Sequence, residues 1–363
     1  MTRCILTEDY DKTRYEVETP LTSKIDYARV RKELGVPDYV DPDSFLMERG
    51  LVTIWANEKP SRLKEFSSSP ELLKVKDDSI PVLFFGGGAV KLLSRVANDH
   101  NSPLCRDIGD IDLISSKKHG QDLYKLLLIL GDVCGTRYYH FITRTDRRFN
   151  AMRAGKRYRV RTIDRIVDES SLVPWTLDIF IDEIDLRHKV DVRETFNDPR
   201  AHKYTIGSEY VLLAKCQYIF DAPKSAYNDL VKNGLEYRIL NYPHYKNDKL
   251  LIGIEEKDIK DVCSILLDHD VGEGENAIDT DIIKTELEHD KKFALTFRLN
   301  LESLLRNEKL LKNIGLPDSS IEVIISRTNA ILNEVPVVDK KWSSPWWDVD
   351  VETPQIFGKV SQA

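Results

Sequence analysis

The sequence predicts an α+β protein: a small mixed β-sheet core with helices, followed by a mainly helical domain. Three observations predict it. Short apolar runs of strand length stand at Val82–Phe85, 110–114 and 177–181, the last two alternating with aspartate. Residues 89–93 and 122–130 between them carry a helical pattern, so the strands are joined by crossovers. After Thr205 the periodicity turns helical and stays so, with helices expected over 208–220, 257–268, 279–289 and 299–310.

Earlier in the chain, residues 23–34 are helix-like, and Ser69-Pro70-Glu71 resembles a cap followed by proline at the first helical position. Nothing in 1–78 suggests catalytic chemistry. The chain of 363 residues exceeds one ordinary core, at roughly 100–200 residues per domain. The organisation expected is an N-terminal extension of unassigned role (1–78), the sheet core (79–205) with a basic hairpin at 141–165, the helical domain (206–310) with an irregular insertion at 221–253, and a C-terminal extension (311–363). That last segment holds Trp342, Trp346 and Trp347, a cluster expected to dock on a core or a partner, because free aromatic clusters are a solubility liability.

Composition narrows the function classes. With 41% hydrophobic and 31% charged residues, the chain reads as soluble. The longest apolar run, 80–90, is broken by three glycines and is far short of the ~20 residues of a membrane span. No signal-peptide core precedes it. Five scattered cysteines without a C-x-x-C pair argue for a reducing compartment, and a cytoplasmic location is expected. The formal charge of −7 conceals a local concentration of the opposite sign: residues 144–165 hold nine Lys or Arg against Asp146 and Asp164, a net +7 that leaves −14 on the remainder.

Four groups of residues could carry chemistry. Asp110 and Asp112 lie two apart on a strand, so both carboxylates share a face, and Asp178 stands in a second strand of the same alternation. If the strands are neighbours, three carboxylates converge where Mg²⁺, a hard ion with a preference for oxygen, would sit; otherwise the pair is an ordinary solvated strand end. Gly86-Gly87-Gly88 ends a strand and opens a helix, which lets backbone N–H groups approach a phosphate, though three glycines equally make a tight turn. Lys215 stands in an apolar helix, and Asp258 falls inside the apolar arc of the 257–268 helix with Asp261 at its edge, so a Lys215–Asp258 ion pair or a ligand is expected. Finally, Arg157, Arg159 and Arg161 share one strand face at a spacing of about 6.6 Å, suited to polyphosphate or RNA.

In that order, strand, glycines, helix, Arg106-x-x-x-Asp110-Ile-Asp112 and then Leu177-Asp178-Ile179 resemble the polymerase-beta-type nucleotidyltransferase superfold. Leu213-Ala-Lys215-Cys-Gln217 and Lys257-Asp258-Ile-Lys-Asp261 resemble the motifs of AbiEii-like nucleotidyltransferases, the toxin family of abortive-infection systems. The resemblance covers about residues 81–306, apart from the 221–253 insertion. It implies Mg²⁺ (or Mn²⁺) and a triphosphate on Asp110 and Asp112, and Asp178 as a metal ligand that assists deprotonation of the acceptor. It further implies Gly86, Gly87, Gly88, Arg106 and Lys215 on the nucleotide, and Asp258 near the acceptor or the base. The activity expected is transfer of NMP from an NTP to an acceptor, with a tRNA-like RNA gripped by Arg157, Arg159 and Arg161 as one candidate acceptor and an antitoxin protein as a candidate partner. Two rivals stand beside it: an inactive module of the same fold that binds nucleotide or a partner, and an enzyme that modifies a small antibiotic-type molecule.

Overall fold

The computed structural model describes residues 24–349 apart from 42–43, 69, 135–139, 143, 169–170, 198–202 and 275, together with two short strands near the start, β1 (Ile5–Leu6) and β2 (Tyr15–Glu16). Helices α1 (Tyr27–Leu34), α2 (Phe45–Glu58) and α3 (Pro70–Leu73) lead into β3 (Val82–Phe85), α4 (Gly86–Leu93), β4 (Ile111–Ser115) and α5 (Gly120–Cys134). Next come β5 (His140–Phe141), α6 (Arg144–Met152), β6 (Arg157–Asp168), β7 (Ser171–Ile181), β8 (Glu183–Asp185) and β9 (Lys189–Asp191). The remainder is α7 (Ser208–Cys216), β10 (Phe220–Pro223), α8 (Tyr227–Lys232), β11 (Lys249–Ile252), α9 (Glu256–Asp268), α10 (Thr280–His289), α11 (Lys291–Arg306), α12 (Glu308–Ile314) and α13 (Asp318–Glu334). The fold is mixed α+β with small mixed sheets and a helical C-terminal region, as the periodicity predicts.

The main sheet has the order β3-β4-β7-β6-β5. Only β4 and β7 run parallel among its neighbours, because a long crossover through α5, β5, α6 and β6 separates them in sequence. Alternation then sorts the side chains. Phe84, Leu113, Val160 and Ile179 are buried on one face, while Asp112, Asp178 and Arg159 stand in register on the other.

The N-terminal segment is a layer of the core and more than an extension. Helix α2 packs on β3 and β4, and Gly50 permits the approach: a Cβ there would lie 1.9 Å from Phe84 Cζ. Helix α4 contacts α7 and α9, and α9 in turn meets α13, so the helical region is built onto the helix that follows the glycines. Asp26 caps α1 at the backbone N–H of Ala28. Ser69 lies outside the described residues.

Several expectations are corrected. The basic segment 141–165 is not a simple hairpin: β5 does pair antiparallel with β6, but helix α6 lies between them, and the tight hairpin partner of β6 is β7. The helix expected at 299–310 divides at Asn307 into α11 and α12. The insertion is more regular than expected, since β10 and β11 close it as an antiparallel pair. Among the described residues no helix is long and apolar enough to cross a membrane.

The tryptophan cluster docks on the helical region. Trp346 and Trp347 are buried with Tyr245, Leu251, Leu295 and Leu299, and Trp346 Nε1 donates to Thr296 Oγ1 at 2.9 Å. Trp346→Phe removes that donor and part of the ring, at an expected cost of about 1–2 kcal/mol. Val337→Ala, at a position 75% exposed, should change stability by less than about 0.5 kcal/mol. Urea denaturation compares the two; equal midpoints would mean that the tail rests on the core without stabilising it.

Candidate active site

The acidic centre arises from strand register. Asp112 in β4 lies directly opposite Asp178 in the parallel neighbour β7, which meets the condition under which the sequence places the acids together. Asp110 precedes β4 by one residue. No hydrogen bond or ion pair from the described residues reaches the carboxylate of Asp110 or Asp112. Both keep access to solvent, yet protein surrounds them closely enough that burial raises their pKa values, Asp112's well above the usual carboxylate range. Repulsion adds to this, from Asp178 for Asp110 and from both other acids for Asp112, while Lys215 opposes it.

Asp178 is in a different state. Its Oδ1 accepts from Arg159 Nε at 2.8 Å, and its Oδ2 from Arg159 Nη2 at 3.0 Å and from Arg157 Nη2. Burial by itself would raise its pKa, but these two guanidiniums hold it below the usual range. Among the described residues no three His, Cys, Asp or Glu side chains are placed together to hold a metal ion. The pair Asp110 and Asp112 nevertheless suits a hard divalent cation, being two solvent-accessible carboxylates without a protein partner among the described residues.

The arginine row is corrected with this. Arg157, Arg159 and Arg161 do share one face, but they do not stand open to an acceptor. Two are turned to Asp178, and Arg161 binds the buried Asp146 of α6 and Thr176 Oγ1, the latter at 2.7 Å. Exposed basic charge lies instead on α6, where Arg147 and Arg148 are solvent-facing.

The glycines divide by role. Gly86 has φ +62°, and a Cβ there would lie 2.6 Å from Asp112 Oδ2, so its bare backbone lets α4 start against the acid. A Cβ at Gly87 would lie 3.1 Å from Arg106 Nη2, again on the site. Gly88 faces the other way, onto the Phe84 ring, and is a packing residue. Gly86→Ala should cost about 1–2 kcal/mol for the left-handed backbone. It should also displace the Asp112 carboxylate and weaken Mn²⁺ binding. Thermal melts and Mn²⁺ titration check this, and unchanged Mn²⁺ affinity would separate Gly86 from the acid.

The helical region contributes one more cluster. Lys215 of α7 reaches Asp258 Oδ1 at 3.1 Å and Asp261 Oδ2 at 2.7 Å, both on α9. Arg106, in the loop before β4, clasps the same Asp261 through two nitrogens, with Nε to Oδ1 at 2.8 Å. The Lys215–Asp258 pairing matches expectation, but the two acids exchange places. Asp261 is buried and central, while Asp258 is only partly buried. Burial would neutralise both partners, yet mutual attraction prevails, keeping Asp261 below the carboxylate range and Lys215 above its ordinary value. Asp261 was visible in the sequence as part of Lys257-Asp258-Ile-Lys-Asp261; its centrality follows from the arginine 155 positions earlier.

Comparison with protein families, with curated proteins and with solved structures finds no match to the chain.

Proposed function

We propose that the chain is a divalent-metal-dependent nucleotidyltransferase that moves a nucleoside monophosphate from an NTP to an acceptor, like the AbiEii-like enzymes it resembles. The observation that carries this reading is the acid register: Asp112 opposite Asp178, Asp110 beside them without partners among the described residues, and a glycine-led helix start against Asp112. In this reading Asp110 and Asp112 hold Mg²⁺ or Mn²⁺, which supplies charge neutralisation at the transferring phosphoryl group. The N–H groups of Gly86 and Gly87, in the first turn of α4, orient phosphate oxygens in this reading. Lys215 adds positive potential from the helical side, and Arg106 keeps the Lys215–Asp261 cluster in place. The Asp178 carboxylate takes the acceptor hydroxyl's proton once it leaves the arginines.

An RNA acceptor is supported by Arg147 and Arg148, which carry exposed charge that the strand arginines spend internally. Incubation with Mn²⁺, each of four α-labelled NTPs and total RNA tests the activity. Arg147→Glu/Arg148→Glu is expected to lower labelling of RNA at least tenfold and to flatten its salt dependence. Unchanged labelling would remove Arg147 and Arg148 from RNA recognition, whereas NTP turnover without any labelling of RNA would favour a small-molecule acceptor. Labelling of neither RNA nor protein with any NTP, alongside NTP binding, would favour the non-catalytic nucleotide-binding module, a reading that the double engagement of Asp178 supports.

A further inference from the structure

We propose that Arg157 and Arg159 form a phosphate site that the Asp178 carboxylate fills internally, and that a substrate phosphate displaces Asp178 from it, releasing that carboxylate towards Asp110 and Asp112. The inference rests on the nucleotidyltransferase reading and adds how its third acid is controlled.

Three features support a site for an external anion over a purely structural ion pair. The guanidiniums are positioned by aromatic faces as well as by Asp178. Arg159 Cζ lies 4.3 Å from the Phe149 ring centroid, and Arg157 Cζ lies 4.3 Å from Phe180 and 5.3 Å from Phe149. Their placement therefore outlasts the departure of the carboxylate. Next, one carboxylate serves both: Arg157 reaches Oδ2, which Arg159 also uses, and Arg157 Nε is buried without an acceptor among the described residues. A phosphate group brings three oxygens to a fork that a carboxylate meets with two. Third, Asp178 has somewhere to go. It lies opposite Asp112 on a neighbouring strand, about 4.8 Å away across the sheet. A turn of its side chain takes it from the arginine side to the acid side.

The consequence is a coupled site. While Asp178 is bound to the arginines, a cation would find two carboxylates; once phosphate occupies the arginines, it would find three. Phosphate and cation then reinforce each other's binding, and by linkage the effect is reciprocal. The phosphate could belong to the triphosphate or to a phosphodiester acceptor, and the two sources are separable.

The test measures anion binding by calorimetry in EDTA, without turnover, using inorganic tripolyphosphate in one arm and a short oligoribonucleotide lacking terminal phosphates in the other. Asp178→Asn removes the internal competitor and is expected to tighten binding of the relevant anion at least tenfold, whereas Asp112→Asn, which removes the same charge nearby, changes it much less. The arm that responds identifies the source. Adding Arg157→Gln to Asp178→Asn should abolish the gain. Equal gains from the two Asp variants, no gain in either arm, or a gain that survives Arg157→Gln would overturn the proposal. If Asp178→Asn does not fold, Arg157→Lys in the otherwise native chain keeps the charge and loses the fork. It should weaken the same anion at least fivefold, and unchanged affinity also overturns the proposal. A chain that transfers NMP yet shows none of these effects refutes only this inference, and one that shows them without transfer refutes only the activity.

Discussion

Asp112→Asn is expected to abolish nucleotidyl transfer and, in metal-free buffer at neutral pH, to raise the melting temperature. The two effects share one cause. Asp112 is partly buried, lies beside Asp110 and Asp178, and has no donor among the described residues to stabilise its charge, so the folded state carries it ionised at a cost. That arrangement is useful only with a cation present, whose loss at the transition state is worth several kcal/mol, about a thousandfold in rate. The pH dependence follows in sign. A carboxyl whose folded pKa exceeds its unfolded value binds its proton more tightly when folded. Without metal, stability therefore falls as pH rises from the usual carboxylate range through the raised native value. Mg²⁺ should reverse that fall in the native chain and do little in Asp112→Asn. Melts from acid to mildly alkaline pH, with and without Mg²⁺, make the comparison. A lower melting temperature for the variant at high pH without metal would show that Asp112 makes a stabilising contact, which would refute its role as a metal ligand.

Much of this site was legible because strands expose their logic in short windows. An apolar run ending in glycines, and aspartates alternating with isoleucine and leucine, place β3, β4 and β7 and the acids of one face without knowledge of the rest. The sequence could not say which acid each arginine meets. Arg157, Arg159 and Arg161 alternate as a strand face should, but their partners Asp178 and Asp146 come from different elements, and a row of charge looks equally open or closed in one dimension. Helix α6 was hidden for a related reason. Arg144, Arg147 and Arg148 carry helical spacing immediately before residues of strand spacing, and read as one basic stretch they suggest one hairpin. Helix α2 was hidden because it is buried almost all round, with Glu48, Arg49, Thr53 and Asn57 inside, so no polar face marks its period. Helix α13 did carry a signal: Ile321, Ile324, Thr328, Ile331 and Leu332 recur at helical spacing on its buried face.

The largest expected loss of stability comes from Asp261→Ala, at about 3–5 kcal/mol, because it leaves Arg106 without its carboxylate and Lys215 with Asp258 alone, both cations mostly withdrawn from water. Side-chain exposures are 4% for Asp261, 13% for Lys215 and 19% for Arg106, so water replaces the missing carboxylate only in part. Against a typical total of roughly 5–15 kcal/mol, such a loss is a third or more. Lys215→Met should cost less, since Arg106 still clasps Asp261 through two nitrogens. The double variant Lys215→Met/Asp261→Ala should be less harmed than the sum of its parts, by an interaction of about 0.5–3 kcal/mol. Because Asp261's folded pKa lies below its unfolded value, its contribution is present above the unfolded pKa and is lost as pH falls through the folded one. The penalty of Asp261→Ala should therefore shrink in acid. The same variant reaches the acid pair. Lys215 already lowers the pKa of Asp110 and Asp112 from a distance, and without Asp261 its ammonium is freer to turn to Asp110. Mn²⁺ would then compete with an internal cation. Urea denaturation and Mn²⁺ titration of the folded variant should thus show a loss of stability and a loss of metal affinity together. Full metal affinity in a destabilised Asp261→Ala would confine the cluster to a structural role and separate it from the acidic centre.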